Sequence, residues 1–137
     1  MQTVFQKLNL STQKKIVICN APESFSGELK RLKDVEILRD PAKPRAVQFA
    51  LAFAVTRAQL DRYSAQLAAA ADGDAILWFA YPKGTSKRYT CEFNRDAGWH
   101  VITGAGFESV RQVAIDEDWS ALRFRRSQFV KARKAAK

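Results

Sequence analysis

The sequence is poor in the residues that most metal and redox sites use, with one histidine and two cysteines among 137 residues. A conventional zinc site needs a full set of such ligands, so these numbers argue against one. Cys19 and Cys91 show no C-x-x-C spacing and can form at most one bridge. We therefore expect free thiols in a reducing cytoplasm and no metal site.

Long hydrophobic runs are also missing. No apolar segment approaches the ~20 residues that span a bilayer, and residues 1–7 lack the contiguous apolar stretch of a signal peptide. A chain of 137 residues that is 47% hydrophobic suits one packed domain. We expect a cytoplasmic domain over residues 1–126, with no membrane partner. A basic tail that can be disordered follows over residues 127–137.

The net charge of +9 is concentrated at the carboxyl terminus. Residues 123–137 hold seven cations and no acid, which leaves +2 for residues 1–122. These cations are Arg123, Arg125, Arg126, Lys131, Arg133, Lys134 and Lys137. Such a tail can attract nucleic-acid phosphates by counterion release, or it can be a solvated extension. We favour solvation, because no aromatic residues interleave with the last cations as a stacking platform requires.

Apolar runs alternate with helical patterns along the chain. The runs at 15–20, 35–39, 47–55 and 74–81 predict strands. Helices are predicted to start at Pro22, at a capping box formed by Thr56 and Gln59, and at 94–97. Residues 107–115 and 119–125, joined by an acidic turn at 116–118, predict an antiparallel hairpin. This order predicts an α/β fold with a mostly parallel, three-layer sheet of five to six strands.

One connection leaves the direction of a strand open. Residues 40–46 are too few for the usual helical crossover between parallel strands. Fully extended, they reach about 23 Å, whereas a return past one intervening strand needs about 20 Å. The second and third strands can therefore be parallel, or they can pair antiparallel. We favour the parallel arrangement, because the run at 47–55 is too apolar for an exposed sheet edge.

The carboxyl-terminal half resembles a known group of domains. The segments at 73–79, 106–110 and 118–125 are similar to the end of class I methyltransferase-like Rossmann domains, over about the last 65 residues. The resemblance implies a glycine-rich turn after the first strand, where the cofactor approaches, and an acid after the second strand that holds ribose hydroxyls. Here the turn is Asn20-Ala21-Pro22, without glycine, and the acid would be Asp40. We therefore expect no cofactor in the usual pose.

A second resemblance covers two short features. The corner Tyr81-Pro82-Lys83 and the hairpin residues Asp118-Trp119-Ser120 are similar to those of a small bacterial domain family of unknown function. This resemblance implies no particular activity.

A basic, hydroxyl-bearing loop follows the fourth predicted strand. Ligands of open α/β sheets lie outside the carboxyl ends of the strands, so this loop and the turn after the first strand are candidate sites. The candidate ligand-binding residues are Asn20, Lys83, Gly84, Thr85, Ser86, Lys87 and Arg88. They could form a nest of donors around a small anion or a nucleotide phosphate. Alternatively, the loop is an ordinary surface turn, and Asn20 or Ser24 caps a helix.

No catalytic set is evident. His100 lies in a predicted helix, and Cys91, near Lys87 and Arg95, could have a lowered pKa and act as a nucleophile. The acids at 116–118 are interpreted as turn residues. We name no catalytic residue, and we interpret the chain first as a non-enzymatic binding module for an anionic ligand or acidic partner. The alternatives are a reduced methyltransferase-like transferase and nucleic-acid binding through the tail; the oligomeric state is left open.

Overall fold

The computed structural model describes residues 4–11, 13–39, 46–87, 89–93 and 98–130. Its strands are β1 Lys15–Cys19, β2 Glu36–Leu38, β3 Val47–Phe53, β4 Ala71–Pro82, β5 Phe107–Ala114 and β6 Trp119–Arg126. Its helices are α1 Val4–Lys7, α2 Ser26–Lys30, α3 Arg57–Ala70 and α4 His100–Gly104, and a 3-10 turn at Glu23–Phe25 leads into α2. No helix in this described part is long and apolar enough to cross a membrane.

The strands form one mixed sheet in the order β2-β1-β3-β4-β6-β5. β1 is parallel to both β2 and β3, and β3 is parallel to β4. β6 is antiparallel to β4 and to β5, as predicted for the carboxyl-terminal hairpin. The predicted fold class is therefore confirmed. The second and third strands flank β1 and run parallel, as favoured, although residues 40–45 of their connection lie outside the described residues.

The two faces of the sheet differ because β3 alternates small and large side chains. Ala50, Ala52 and Ala54 face α3 and α4, and these helices contribute Leu60, Tyr63, Leu67 and Ile102 to that core. Phe49, Leu51 and Phe53 face the opposite side, which is covered by α1, the 3-10 turn and α2. Small residues allow a long helix to approach the sheet closely, and large ones fill the space that short helices leave open. Helices on both faces make the predicted third layer.

The capping box that the sequence predicts starts α3. Thr56 Oγ1 accepts a hydrogen bond from Gln59 N at 3.1 Å, and Gln59 Oε1 accepts one from Thr56 N at 3.2 Å. These bonds satisfy donors that the first turn of a helix leaves without intrahelical partners. The helix therefore begins at Arg57, directly beyond the carboxyl end of β3.

The starts of β4 and α4 and the structure of residues 127–130 differ from the prediction. β4 begins at Ala71, immediately after the last residue of α3, rather than at Asp74. The helix expected from 94–97 begins at His100, and residues 94–97 lie outside the described residues. Trp99 and Ile102 are buried, as predicted. Residues 127–130 are helical and Val130 is 8% exposed, whereas the rest of the predicted tail, 131–137, is not described.

The amino end of β4, together with the end of β6, forms what we call the amino edge. β4 leaves the ladder here between Ala71 and Ile76, and Gly73 takes a φ of 53°. Arg125 binds Asp74 with two hydrogen bonds of 2.8 and 2.6 Å. Arg126 donates to the carbonyl oxygens of Gly73 at 3.1 Å and Ala71 at 2.8 Å. Two cations that the sequence assigns to a basic carboxyl-terminal segment therefore hold the irregular start of β4.

Candidate functional site

The opposite end of the sheet, which we call the carboxyl edge, is where Asn20, Ala54, Lys83 and Trp119 meet. Asn20, Ala54 and Lys83 follow the carboxyl ends of β1, β3 and β4, and Trp119 begins the antiparallel β6 beside Pro82. The chain leaves β1 toward β2 on one side and continues with β3 on the other. This change of direction between β1 and β3 is a topological switch point, where doubly wound sheets bind ligands.

Asn20 joins the two strands at the switch point. Its φ is 58°, a left-handed conformation that glycine and asparagine adopt most readily. Its side-chain Nδ2 donates to the carbonyl oxygen of Phe53 at 3.0 Å. The alternative prediction, helix capping by Asn20 or Ser24, was wrong, because Pro22 is the N-cap of the 3-10 turn and no side chain caps it. Asn20 instead ties the end of β1 to the end of β3.

The loop predicted to bind an anion is held by an aspartate. Lys83 N donates to Asp118 O at 2.7 Å, and Ser86 Oγ donates to Asp118 Oδ1 at 2.9 Å. Ser86 N donates to Lys83 O at 3.0 Å, and Ser86 Oγ accepts from Tyr89 N at 3.2 Å. Several donors of the predicted nest therefore already have protein acceptors. The sequence did not identify this role of Asp118, since the hydrogen bonds join residues more than thirty positions apart.

The other predicted loop residues are distributed unevenly. Gly84, Thr85 and Lys87 are exposed, and Lys83 is half-buried. Arg88, also predicted, lies outside the described residues. Asn20 is exposed at the neighbouring strand end. The structure therefore places Asn20 and the loop at the same edge of the sheet, but their strands are not neighbours, because β3 lies between them.

A cavity of about 400 Å³ opens beside this loop. One wall is formed by Tyr81, Pro82, Lys83, Gly84 and Ser86, and the other by residues 89–93. Three of the predicted loop residues, Lys83, Gly84 and Ser86, therefore line a cavity, whereas Thr85 and Lys87 are not among its lining residues. The second wall was not predicted, because nothing in the local sequence indicates that residues 89–93 fold back over the sheet.

Glu92 holds the second wall in place. Its backbone N donates to Val55 O at 3.0 Å, and its Oε1 accepts from Arg57 N at 2.9 Å. Arg57 is the first residue of α3, so the Glu92 carboxylate satisfies a helix donor and lies where the helix dipole stabilises negative charge. Arg57 Nη2 is also 3.4 Å from His100 Nδ1. These contacts fix the wall against the end of β3 and the start of α3.

Aromatic side chains pack against one another beside the cavity. Phe93 contacts Tyr81, with centroids 5.9 Å apart, and Trp99, with centroids 5.4 Å apart. Gly98 makes this packing possible: its φ is 105°, and an added Cβ would lie 2.7 Å from Phe93 Cβ. A residue with a side chain at position 98 would be strained and would displace Phe93.

The chemistry of Cys91 differs from that expected. Burial raises the pKa of the Cys91 thiol, which outweighs the lowering effect of its hydrogen bond with the Phe93 backbone. Burial therefore acts against a thiolate activated by nearby cations, and two of those cations, Arg88 and Arg95, lie outside the described residues. His100 is exposed at the start of α4.

Trp119 lies at the same edge, on the α2 side of the sheet. It is 3% exposed, and its ring contacts Phe53, with centroids 5.1 Å apart, and Tyr89, with centroids 4.9 Å apart. Its indole Nε1 is buried and has no hydrogen-bond partner among the described residues. Trp78, in contrast, donates from its Nε1 to Leu8 O at 2.7 Å.

The first three cations of the basic segment make intramolecular contacts. Arg125 and Arg126 bind the amino edge as described above, and Arg123 Nη1 donates to Asn9 Oδ1 at 3.4 Å. The remaining four lie at positions 131–137, outside the described residues. Nucleic-acid binding through the tail stays a prediction that rests on those four residues.

Strand order, switch point and a cavity at the carboxyl edge define a methyltransferase-like Rossmann fold, and comparison with solved structures agrees. A SAM-dependent methyltransferase from Aquifex aeolicus matches with a TM-score of 0.60 and 12% identity over 89% of this chain and 87% of that chain. The N-methyltransferase NodS from Bradyrhizobium japonicum matches with a TM-score of 0.56 and 13% identity, over 88% and 91% of the two chains.

A third structure with this likeness was solved with its cofactor. Magnesium protoporphyrin IX methyltransferase from Synechocystis, with bound SAM, has a TM-score of 0.56 and 15% identity over 90% of this chain and 74% of that chain. No family model and no curated protein matches the sequence. At these identities the comparisons establish the fold. The likeness extends over most of the chain, not only over the last 65 residues on which the sequence resemblance rests.

Proposed function

We propose that this protein is a reduced methyltransferase-like transferase that binds an adenosine-containing methyl donor at the carboxyl edge. S-adenosylmethionine is the donor to test first. The observation that carries the proposal is the cavity of about 400 Å³ beside the loop that follows β4 at the carboxyl edge. Its volume falls within the range of about 300–1,000 Å³ typical of small-molecule sites. The likeness to SAM-dependent methyltransferases supports the choice of ligand.

The chemistry of the cavity suits such a donor. Tyr89 and Phe93 offer aromatic surface to a purine base, and Glu92 offers a carboxylate to ribose hydroxyls or to a cationic group. Lys83 offers an ammonium group to the carboxylate of the amino-acid part. An aromatic base, hydroxyl groups and a zwitterionic tail are the parts of S-adenosylmethionine. The residues present therefore fit the donor.

The turn after β1 does not offer the glycine-lined approach that the resemblance implies. Asn20 has the positive φ of such a turn, but its side chain spans the gap to Phe53. Pro22 has no N–H to donate to a ligand. We therefore assign the donor to the cavity after β4 rather than to the backbone of this turn. Asp40, the candidate ribose ligand, lies outside the described residues.

When bound, S-adenosylmethionine supplies an electrophilic methyl group on a sulfonium ion. The residues of this chain bind the donor and hold it against an acceptor, and positioning of this kind lowers the entropic part of a reaction barrier.

The anion-binding module, our first interpretation of the sequence, has less support. The carboxylate of Asp118 accepts from Ser86, and its carbonyl accepts from Lys83 N. An anion bound in the predicted nest would have to displace these two acceptors from the Ser86 hydroxyl and the Lys83 N–H. The transferase alternative uses the cavity without breaking these contacts.

The test is isothermal titration of the full chain with S-adenosylmethionine and S-adenosylhomocysteine, with inorganic phosphate as a comparison. We expect both adenosine compounds to bind, and either at 100 times its Kd should stabilise the fold by about 2.7 kcal/mol in a thermal-shift assay. Binding of phosphate alone would favour the anion module. A flat response to both adenosine compounds would contradict the proposal.

A pair of variants locates the site. Lys83→Ala removes a cation that lines the cavity, and Lys87→Ala removes an exposed cation of the same loop that does not. We expect Lys83→Ala to weaken S-adenosylhomocysteine binding about tenfold, since a hydrogen bond to a charged group is lost. Lys87→Ala should bind as the wild type does. Equal loss in both variants would indicate general attraction by the basic loop.

A further inference from the structure

Trp119 carries a buried polar atom that the fold leaves without a partner. Its Nε1 is inaccessible to solvent and has no acceptor among the described residues. A buried donor in this state loses its hydrogen bond to water and gains nothing in return, so it destabilises the folded protein. Such groups are rare in folded proteins, and those that persist call for a physical reason.

Trp78 shows that this fold can satisfy an indole. It belongs to the same buried cluster as Trp119, and its Nε1 donates to Leu8 O at 2.7 Å. The two tryptophans thus share a core but differ in one hydrogen bond. A phenylalanine would fill the contacts of the Trp119 ring with Phe53 and Tyr89 without burying an unpaired donor. Packing alone therefore does not explain the indole at position 119.

The position of Trp119 indicates a functional role for its indole N–H. The residue begins β6 opposite Pro82, which lines the cavity. Trp119 is not itself among the residues that line the cavity, but its ring contacts Tyr89, which is, and Phe53 at the end of β3, where Asn20 also binds. A residue that breaks a local rule in such a place is expected to serve function.

We infer that Trp119 recognises the ligand by donating a hydrogen bond from its indole N–H to a ring nitrogen of the bound base. This inference rests on the proposed function. Tyr89 is half-buried, contacts the Trp119 ring and lines the cavity. Because the Nε1 atom is closed to solvent, the base reaches it when the Tyr89 ring turns aside. Ligand binding then supplies an acceptor that none of the described residues provides.

The first experiment compares Trp119→Phe with Trp78→Phe as its matched control. Kd for S-adenosylhomocysteine is measured by titration calorimetry, and stability by the urea midpoint. We expect Trp119→Phe to weaken binding about tenfold, the value of one hydrogen bond of good geometry, and to lower the midpoint less than Trp78→Phe does, because both variants lose ring volume but only Trp78 gives up a hydrogen bond within the fold. Trp78→Phe should lower the midpoint, because Leu8 O loses its donor, and should keep the wild-type Kd.

The second experiment changes the ligand and does not depend on how a variant folds. Analogues of S-adenosylhomocysteine in which a single ring nitrogen is replaced by C–H are titrated against wild type and Trp119→Phe. One analogue should bind the wild type about tenfold more weakly than the parent, yet bind Trp119→Phe as well as the parent does. This result would identify both partners of the hydrogen bond.

The outcomes separate this inference from the proposed function. If wild type and Trp119→Phe bind S-adenosylhomocysteine equally, or if every analogue loses the same factor in both proteins, the inference is wrong and the proposed function stands. If the wild type binds neither adenosine compound, both are wrong. A urea midpoint that falls as far in Trp119→Phe as in Trp78→Phe would show that the indole N–H has a structural partner, which also contradicts the inference.

Discussion

The two edges of the sheet treat their polar groups in opposite ways. At the amino edge, Arg125 binds Asp74 and Arg126 binds two backbone carbonyls. At the carboxyl edge, the Trp119 Nε1 is buried with no hydrogen-bond partner among the described residues, and a cavity opens beside Lys83. The polar groups of the amino edge pair with one another, whereas the carboxyl edge keeps a buried donor for which the described residues supply no acceptor. Exceptions of this kind concentrate at functional sites, so the comparison points to the carboxyl edge.

The comparison also changes the meaning of the basic carboxyl terminus. Arg125 and Arg126 are surplus positive charges in the sequence, but in the fold they complete the irregular start of β4. Counting charges along the chain therefore overstates the positive charge that is available to an external partner. Charge at the amino edge stabilises structure, whereas the proposed ligand contacts at the carboxyl edge involve Lys83 and Glu92, which line the cavity.

The largest effect is expected where the carboxyl edge depends on a glycine. Gly98→Ala places a Cβ 2.7 Å from Phe93 Cβ at a φ of 105°. Strain and displacement of Phe93 should together lower the free energy of unfolding by about 3 kcal/mol, measured by urea denaturation. Gly104→Ala is the matched control, because no atom lies within 4 Å of its added Cβ and its φ is not positive. A wild-type midpoint for Gly98→Ala would contradict this account of the cavity wall.

A smaller effect is expected at the switch point. Asn20→Ala loses the hydrogen bond to Phe53 O and keeps a positive φ, so it should cost about 2 kcal/mol. Asn20→Gly loses the same bond but relieves the strain, so it should cost about 1 kcal/mol. Both values are read from urea denaturation. If the alanine and glycine variants are equally stable, the left-handed conformation carries no cost and this edge is less strained than we argue.

The smallest effect is expected at the amino edge and depends on pH. The hydrogen bond and charge of Arg125, aided by Arg123, lower the pKa of the Asp74 carboxyl against the opposing effect of burial. A lowered folded pKa means that the pair stabilises the fold above the unfolded pKa and loses its effect as pH falls through the folded value. Because Asp74 is 37% exposed, Asp74→Asn should cost only about 0.5 kcal/mol at pH 7.

The pH dependence gives the Asp74 prediction its control. The difference between wild type and Asp74→Asn in urea denaturation should shrink as pH falls below the unfolded pKa of about 3.9, and should vanish once the carboxyl is protonated in the folded state as well. Asp72→Asn removes an exposed charge two residues away and should match the wild type throughout. A difference that persists unchanged at low pH would show that Asp74 acts through something other than its charge.

Periodicity predicted the sheet because the core imposes it on the sequence. The alternation of alanines with Phe49, Leu51 and Phe53 in β3, the capping box of α3 and the turn before β6 are all local patterns. The parallel direction of β2 and β3 followed from chain length and apolarity. These features depend on neighbouring residues, so a single sequence contains them.

The second cavity wall could not be predicted, because it is held by contacts between distant residues. Glu92 meets Val55 and Arg57, 37 and 35 positions away. Asp118 holds the basic loop through Ser86, which lies 32 positions earlier in the chain. That the Trp119 Nε1 has no partner among the described residues is visible only in the folded structure. The basic, hydroxyl-bearing composition of the loop after β4 indicated the first wall of the cavity. The second wall, residues 89–93, is evident only in the folded structure.

The most direct test of the central claim is a titration of ¹⁵N-labelled protein with S-adenosylhomocysteine, followed by amide and indole resonances. We predict shifts at the carboxyl edge, led by Ser86, Cys91 and the Trp119 indole, with the amides of Gly73 and Arg126 at the amino edge unchanged. Shifts centred on the amino edge, or no shifts at a millimolar ligand concentration, would contradict the assignment of the ligand site to the carboxyl edge.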